Sequence, residues 1–269
     1  MPSLSVDLFR EGRLQAAIEA QSGAVKEAPS DIRRRWFLAE LLCFAGEWER
    51  ADRSLEVIAL QAAEQRPAVL AFQHLLRGEQ VRRQVMNEGR APEILGGGDD
   101  LRLAVSALLC LREGRPEEAA RTLEENSSAL RIDGIRNGGQ SFDSFRDLDD
   151  VCSSFVELIA EGGRYCWVSV ADLALLEMRP LASSRDLIWR PARLAVRGGP
   201  EGDVFLPALY TTDPAGDDDA LRLGRRTEWL EQAGPPVRGI GQRTFLVGEM
   251  DIPIHELGRL EFTHETTGQ

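Results

Sequence analysis

Three closely spaced aspartates, Asp147, Asp149 and Asp150, are the side chains of this 269-residue chain best suited to chemistry. Hard oxygen donors this close together suit Mg²⁺, and a divalent ion held there could serve a metal-dependent hydrolase or transferase. The same aspartates also precede an apolar run made of Val151, Phe155, Leu158 and Ile159. Acidic residues at that position cap a helix and face its positive end. We interpret Asp147 and Asp150 as structural residues, with the metal-dependent enzyme as the alternative.

The other reactive side chains form no recognisable catalytic motif. The acidic stretch Asp217 to Asp219 lacks the spaced ligands and the following glutamate of a calcium loop. The three histidines show neither HxxxH nor HExxH spacing; they are His74, His255 and His264. The four cysteines contain no CxxC pair and are expected to be buried thiols; they are Cys43, Cys110, Cys152 and Cys166. We therefore predict no catalytic residue, no metal site and no cofactor.

A sequence motif that recurs in the first half of the chain indicates which elements hold these residues in position. A glycine is followed five positions later by an alanine in Gly12–Ala17, Gly46–Ala51 and Gly114–Ala119. The first two glycines are 34 residues apart, and the third follows after 68, twice that period. Such a period is typical of stacked helical hairpins. Glycine ends the first helix in a left-handed conformation, and the small alanine lets the second helix cross closely.

The apolar spacing predicts a helix on each side of Gly46. Trp36 belongs to the upstream helix, for which Asp31 is a candidate N-cap. A fourth copy is degenerate, because Gly78 falls near the expected place while Arg83 occupies the alanine position. We predict a tetratricopeptide-like helical domain over residues 1–130, with a compact irregular helical domain as the alternative.

The pattern changes after about residue 130. Residues 131–163 are predicted to form a helical linker, and residues 164–269 a smaller β-rich mixed domain. Strand candidates are 164–169, 244–247 and 257–262, together with a hairpin that joins 192–197 to 203–208 across glycines. The predicted fold class is α+β with two domains.

Charge and hydropathy limit the possible partners. The net charge of −12 argues against nucleic acid, which requires a basic face. No stretch of 18 apolar residues exists, and the amino terminus lacks a secretion-signal pattern. We expect a cytoplasmic protein with no membrane insertion that docks onto other proteins.

Several phrases of the chain resemble the ImpE/TagJ family of type VI secretion accessory proteins. They begin at Leu8 in Leu-Phe-Arg-Glu-Gly-Arg-Leu and at Phe142 in Phe-Asp-Ser-Phe-Arg-Asp-Leu-Asp-Asp, and they include Tyr165 to Val168, Arg185 to Ala192, Leu223 to Trp229 and Gly239 to Glu249. The resemblance implies a non-catalytic adaptor that works with the contractile sheath. It implies binding to the amphipathic amino-terminal helix of the sheath small subunit (TssB-like), and help with sheath handling by the recycling AAA+ ATPase (ClpV-like).

The resembling phrases and the first helical pair supply the candidate partner-binding residues. We predict that Trp36, Arg185, Trp189, Arg190 and Arg243 line a partner groove, since tryptophan and arginine are common interface anchors. The alternative for the Arg185 phrase is structural: Asp186 pairs with Arg190 at helical spacing and Trp189 fills the core. Self-association through the repeats is compatible with both the adaptor and the metal-dependent enzyme.

Overall fold

The first half of the chain forms an array of helical hairpins. The computed structural model describes residues 3–127, 132–212, 218–230 and 236–263. The helices of the array are α1 (Leu4–Arg10), α2 (Leu14–Glu27), α3 (Ile32–Phe44), α4 (Trp48–Gln61), α5 (Arg66–Arg83), α6 (Asp99–Arg112) and α7 (Pro116–Ser127). Within the described residues, no helix combines the length and the apolarity needed to cross a bilayer.

The three repeated glycines end their helices as predicted. Gly12, Gly46 and Gly114 have φ angles of 84°, 74° and 72°, in the left-handed region. At each, the residue after the glycine donates its backbone N–H to the carbonyl five positions back, which closes a Schellman cap. Ala17, Ala51 and Ala119 are fully buried where the paired helices cross. The tetratricopeptide-like interpretation of the phrase is confirmed.

Gly78 does not end a helix. It lies inside α5, where a Cβ would stand only 2.6 Å from the Cγ2 of Ile159. The helix therefore continues through the position at which a turn was expected. Because glycine has no Cβ, a strand of the sheet can pack closely against the helix at this residue. A π-helical turn over Gln84–Glu88 follows α5 and ends at Gly89.

A nine-stranded sheet organises the second half. Its order is β1-β6-β5-β9-β8-β7-β14-β2-β3, and a three-stranded sheet, β13-β12-β4, and a two-stranded ribbon, β10-β11, accompany it. The strands are β1 (Glu93–Leu95), β2 (Asp133–Arg136), β3 (Gln140–Phe142), β4 (Phe145–Asp147), β5 (Phe155–Ala160), β6 (Arg164–Ser169), β7 (Leu173–Met178), β8 (Trp189–Val196), β9 (Glu201–Pro207), β10 (Thr227–Leu230), β11 (Arg238–Gly241), β12 (Thr244–Val247), β13 (Met250–Pro253) and β14 (Arg259–Thr263). A short helix, α8 (Asp219–Arg222), precedes the ribbon.

The helical linker predicted for 131–163 is wrong. That segment holds β2 to β5 and only short 3-10 turns, so the β-rich region begins at Asp133 and is about as long as the helical array. The apolar pattern from Phe155 to Ile159 resembled that of a helix because β5 is buried on both faces. Phe155 and Ile159 pack toward the helices, whereas Val156 and Leu158 pack toward the opposite side. Apolar residues on both faces hide the two-residue period of a strand.

The nine-stranded sheet divides two cores. On one face Trp167 and Trp189 join the helical residues Phe72 and Leu55 in a shared core. On the other face the three-stranded sheet closes a second core, in which Phe145 stacks on Phe245 with ring centroids 5.4 Å apart. The helical array and the β-rich region are therefore joined through a common hydrophobic core. The predicted α+β order, helical hairpins followed by a β-rich region, is confirmed.

Candidate functional site

Helix α5 is the element that brings the two halves together. It lies on β5 and β6, and its Phe72 ring meets the ring of Trp189 edge-on at 6.0 Å. Trp36 of α3 also contacts Phe72, at 5.9 Å. The sheet thus covers the face of the array to which these aromatic residues belong.

A buried ionic group, which we call the junction cluster, lies beneath this contact: Glu79, Arg82, Asp147, Glu157 and Arg243. All five side chains are at most 5% exposed. Glu157 on β5 is its centre, since Arg82 of α5 binds it with Nε at 2.9 Å from Oε1 and Nη2 at 3.2 Å from Oε2. Arg243 also forms an ion pair with Glu157, and it forms another, at 3.2 Å, with Asp147.

Neutral groups complete the junction cluster. Arg82 also donates to the carbonyl of Leu209 at 2.8 Å. The hydroxyl of Tyr165 donates to Glu157, and the indole of Trp189 donates to Glu79 at 3.2 Å. Tyr210 donates to Asp147 at 2.8 Å. Buried charges are tolerated when they are paired and hydrogen-bonded in this way.

Burial and ion pairing shift the pKa values of Glu157 and Asp147 in opposite directions. Burial acts to raise the pKa of Glu157, but Arg243 and Arg82 together hold that pKa at about 2. For Asp147 burial prevails over the attraction of Arg243, and the proximity of Asp149 adds to it, which raises the pKa of Asp147 to about 7. Glu157 is thus the carboxylate that the two arginines hold in its ionised form.

The three aspartates singled out in the sequence are used as structural acceptors. Asp147 accepts the backbone N–H of Asp149 at 2.8 Å, and Asp149 accepts that of Val151 at 3.0 Å, capping a 3-10 turn rather than the expected helix. Asp149 also binds Arg238 at 3.0 Å, and Asp150 accepts the N–H of Val237 at 2.7 Å. Among the residues that the structure describes, no group of three or more histidine, cysteine or acidic side chains forms a possible metal site.

The second acidic stretch also serves the fold. Asp218 caps α8 by accepting the N–H groups of Ala220 and Leu221. Asp219 reaches back across the chain and accepts the N–H of Leu14, the first residue of α2, at 2.7 Å. Asp217 and His264 lie outside the described residues. The four cysteines are buried and free, as expected for structural thiols.

The structure separates the five predicted partner-binding residues into two sets. Trp36 and Arg185 lie together near the surface, with the guanidinium 5.9 Å from the centre of the indole ring. Trp189, Arg190 and Arg243 are 0%, 6% and 2% exposed, so they present no groove-lining surface. Trp189 fills the shared core, as in the structural alternative, and Arg243 belongs to the junction cluster.

The expected helical pairing of Asp186 with Arg190 is also wrong. The chain makes only a 3-10 turn over Ser184–Leu187 before β8 begins at Trp189. Asp186 instead accepts the N–H groups of Ala182 and Ser183 in a capping box. Pro191 lies within β8 opposite Phe205.

Two surface concavities meet at Trp48. The first, about 350 Å³, lies between the α3–α4 turn and the β-rich region, and Arg82 and Tyr210 line it. The second, about 500 Å³, is a groove between α4 and α5. Arg83 lies between the two, with its guanidinium 5.2 Å from the centre of the Trp48 ring. No sequence signal distinguishes the partly exposed position of Trp48 from that of a core residue.

Comparison with known proteins identifies the family. Residues 139–261 match the family model for ImpE protein, and residues 8–76 match a tetratricopeptide repeat model. The type VI secretion system accessory component TagJ of Pseudomonas aeruginosa is 33% identical over 261 residues, covering 96% of this chain and 91% of that protein. A crystal structure of a Vibrio parahaemolyticus protein covers 97% of this chain and 98% of its own, with a TM-score of 0.89 and 29% identity. The chain therefore belongs to the ImpE/TagJ family of type VI secretion accessory proteins.

Proposed function

We propose that this protein is a non-catalytic cytoplasmic adaptor of the type VI secretion system. It binds the amphipathic amino-terminal helix of the sheath small subunit and assists the handling or recycling of the sheath by the AAA+ ATPase. The observation that carries the proposal is the open groove between two helices of the array, in a protein of an accessory family. A helix laid in an apolar groove is a common mode of peptide recognition.

The environment of the aspartates supports a role without catalysis. The carboxylates of Asp147, Asp149 and Asp150 each accept backbone N–H groups of the chain itself, and each lies near an arginine. A hydrolase or transferase centred on them would have to release these contacts before binding an ion. No observation favours that alternative.

Titration calorimetry tests the proposal directly. The full chain is titrated with a synthetic peptide of the sheath small subunit's amino-terminal helix from the same genome. The matched control peptide carries serine at every position of its apolar face. Saturable binding that the serine peptide loses supports the adaptor, whereas no binding by calorimetry and by a second method contradicts it.

A second measurement addresses the ATPase. The adaptor function predicts that adding the protein changes the rate at which the recycling ATPase disassembles purified sheath. The triple variant Asp147→Asn, Asp149→Asn, Asp150→Asn should retain this effect, if circular dichroism shows that it folds. Loss of the effect in a folded triple variant that still binds the peptide would favour the enzyme instead.

A further inference from the structure

Arg190 is a buried cation without a partner in the described part of the chain. It is 6% exposed, and Nε and Nη1 of its guanidinium are shielded from solvent and meet no hydrogen-bond acceptor among these residues. Arg82 and Arg243, which are buried to a similar degree, each pair with acidic side chains. An uncompensated buried charge destabilises a fold. Such a departure from the rules of folding is expected where a residue serves a function.

Asp186 does not compensate the charge of Arg190. It is the acidic residue whose charge acts on Arg190, yet the two side chains form no hydrogen bond. Oδ2 of Asp186 accepts the backbone N–H groups of Ala182 and Ser183 at 2.7 and 3.0 Å, and Oδ1 accepts the hydroxyl of Ser183 at 2.9 Å. The carboxylate is thus engaged by the turn that it caps.

His255 brings a second unpartnered nitrogen to the same place. It belongs to the 3-10 turn Ile254–Glu256 after β13, and it lies against the backbone of Leu187, three residues before Arg190. Its Nδ1 is buried and has no hydrogen-bond partner among the residues that the structure describes. Burial and the charge of Arg190 lower the pKa of His255 to about 4, so the imidazole is neutral at neutral pH. It can therefore donate an N–H without adding a second positive charge.

The two side chains lie at the end of the second core. Side chains alternate between the faces of a strand, so Arg190 projects from β8 on the face of Ala192 and Leu194, which belong to that core. Ile254, the neighbour of His255, belongs to it as well. The opposite face carries Trp189, so the sheet separates Arg190 from the shared core beneath the helices.

We propose that Arg190 and His255 form a binding site for a small oxyanion of the phosphate class. The fork of an arginine side chain matches two oxygens of such an ion, and the imidazole supplies a further donor. Nη2 is the guanidinium nitrogen that is not shielded, so the ion reaches Arg190 there. Because so little of Arg190 is exposed, the site admits an ion from solution rather than a protein surface. The inference is independent of the adaptor function.

Equilibrium dialysis with radiolabelled inorganic phosphate tests the site. The full chain is dialysed at constant ionic strength, maintained with chloride, and should bind phosphate saturably at a single site. Arg190→Met keeps the length of the side chain and removes its charge, and should weaken binding by about tenfold or more. Arg193→Met is the matched control, since Arg193 lies on the opposite face of β8 in an exposed pair with Glu201. It should bind as the unmodified protein does.

Thermal unfolding tests the unpartnered charge itself. Without phosphate, Arg190→Met should unfold at a temperature at least as high as that of the unmodified protein, because an apolar side chain replaces an uncompensated buried charge. Phosphate at ten times its dissociation constant should raise the midpoint of the unmodified protein and of Arg193→Met by about 2–4 °C. The smaller rise in Arg190→Met measures the general effect of the salt.

Each alternative outcome overturns the inference. A lower midpoint or failure to fold of Arg190→Met without phosphate would show that the chain itself stabilises Arg190. Phosphate binding that Arg190→Met retains would place the ion elsewhere. Absence of saturable binding by the unmodified protein would leave no site. In the unmodified protein the imidazole resonances of His255, assigned with His255→Gln, should also shift as phosphate is added, and unchanged resonances would remove His255 from the site.

Discussion

At the scale of single residues, Glu157 is the carboxylate that links the two halves of the molecule. It lies on β5 and neutralises Arg82 from the helical array and Arg243 from the β-rich region. Removing one partner of a buried ion pair costs more than the pair contributes, because the remaining charge stays buried without compensation. Replacing Glu157 removes the partner that both arginines share, and leaves Arg82 paired only with Glu79 and Arg243 only with Asp147.

Glu157→Gln is therefore expected to lower the free energy of unfolding by about 3–5 kcal/mol. Urea denaturation followed by circular dichroism measures the change. The control is Glu201→Gln, which breaks an exposed pair with Arg193 and should cost far less. Similar losses in the two variants would show that the junction cluster does not hold the halves together.

Asp147 predicts a pH dependence of opposite sign to that of an ordinary carboxylate. Its pKa is raised from 3.8 to about 7 in the folded chain, so between these values the folded state binds a proton that the unfolded state has released. Stability then falls as the pH rises through this window, by up to about 1.4 kcal/mol per pH unit. Asp147→Asn should remove this contribution.

The measurement compares unfolding free energies of the unmodified protein and Asp147→Asn between pH 4 and pH 7. The advantage of the unmodified protein should shrink as the pH rises. Asp203→Asn, at a carboxylate whose side chain is 78% exposed, measures the background. An advantage that grows toward neutral pH would mean that Asp147 is ionised in the folded protein and that its pair with Arg243 is the stronger effect.

At the scale of the helix, Gly78 allows α5 to lie directly against the sheet. Alanine is the better helix former by about 1 kcal/mol. A Cβ at residue 78 would nevertheless lie within 3 Å of three side-chain atoms of Ile159. The clash should prevail, so the glycine contributes to stability despite its low helix propensity.

Gly78→Ala is expected to destabilise the protein by about 1–3 kcal/mol. Gly23→Ala in α2 is a matched control, because nothing lies within 4 Å of the added Cβ and the change should stabilise by about 0.5–1 kcal/mol. Thermal unfolding of both variants tests this. Adding Ile159→Ala to Gly78→Ala should cost less than the sum of the single changes, and strict additivity would speak against the clash.

The sequence predicted elements well wherever the signal was local. The capping glycines of the repeats were found from their spacing, and β6 and β12 begin and end at the predicted residues. The helical interpretation of Phe155 to Ile159 failed because a strand buried on both faces shows no alternation. The junction cluster could not be predicted, since Arg82 is 75 residues from Glu157 and no spacing rule links residues so far apart.

At the scale of the whole molecule, the shared core predicts a single cooperative transition. Tryptophans lie in both halves, Trp36 and Trp48 in the helices and Trp167 and Trp189 in the sheet. Tryptophan fluorescence and the helical signal at 222 nm should therefore give coincident denaturation midpoints. Two separated transitions would show that the array and the β-rich region unfold independently.

The place of β14 in the sheet bears on how the chain is made. β14 lies between β7 and β2, and in the described part of the chain it joins the β2–β3 hairpin to the other six strands of the nine-stranded sheet. The end of β2 at Arg136 leaves the ribosome 127 residues before the end of β14 at Thr263, a wait on the order of ten seconds at typical rates of synthesis. Until then β7 offers an unpaired edge to other chains. A chain whose translation stops before residue 259 thus lacks the strand that joins the β2–β3 hairpin to β7, and it leaves the edge of β7 unpaired.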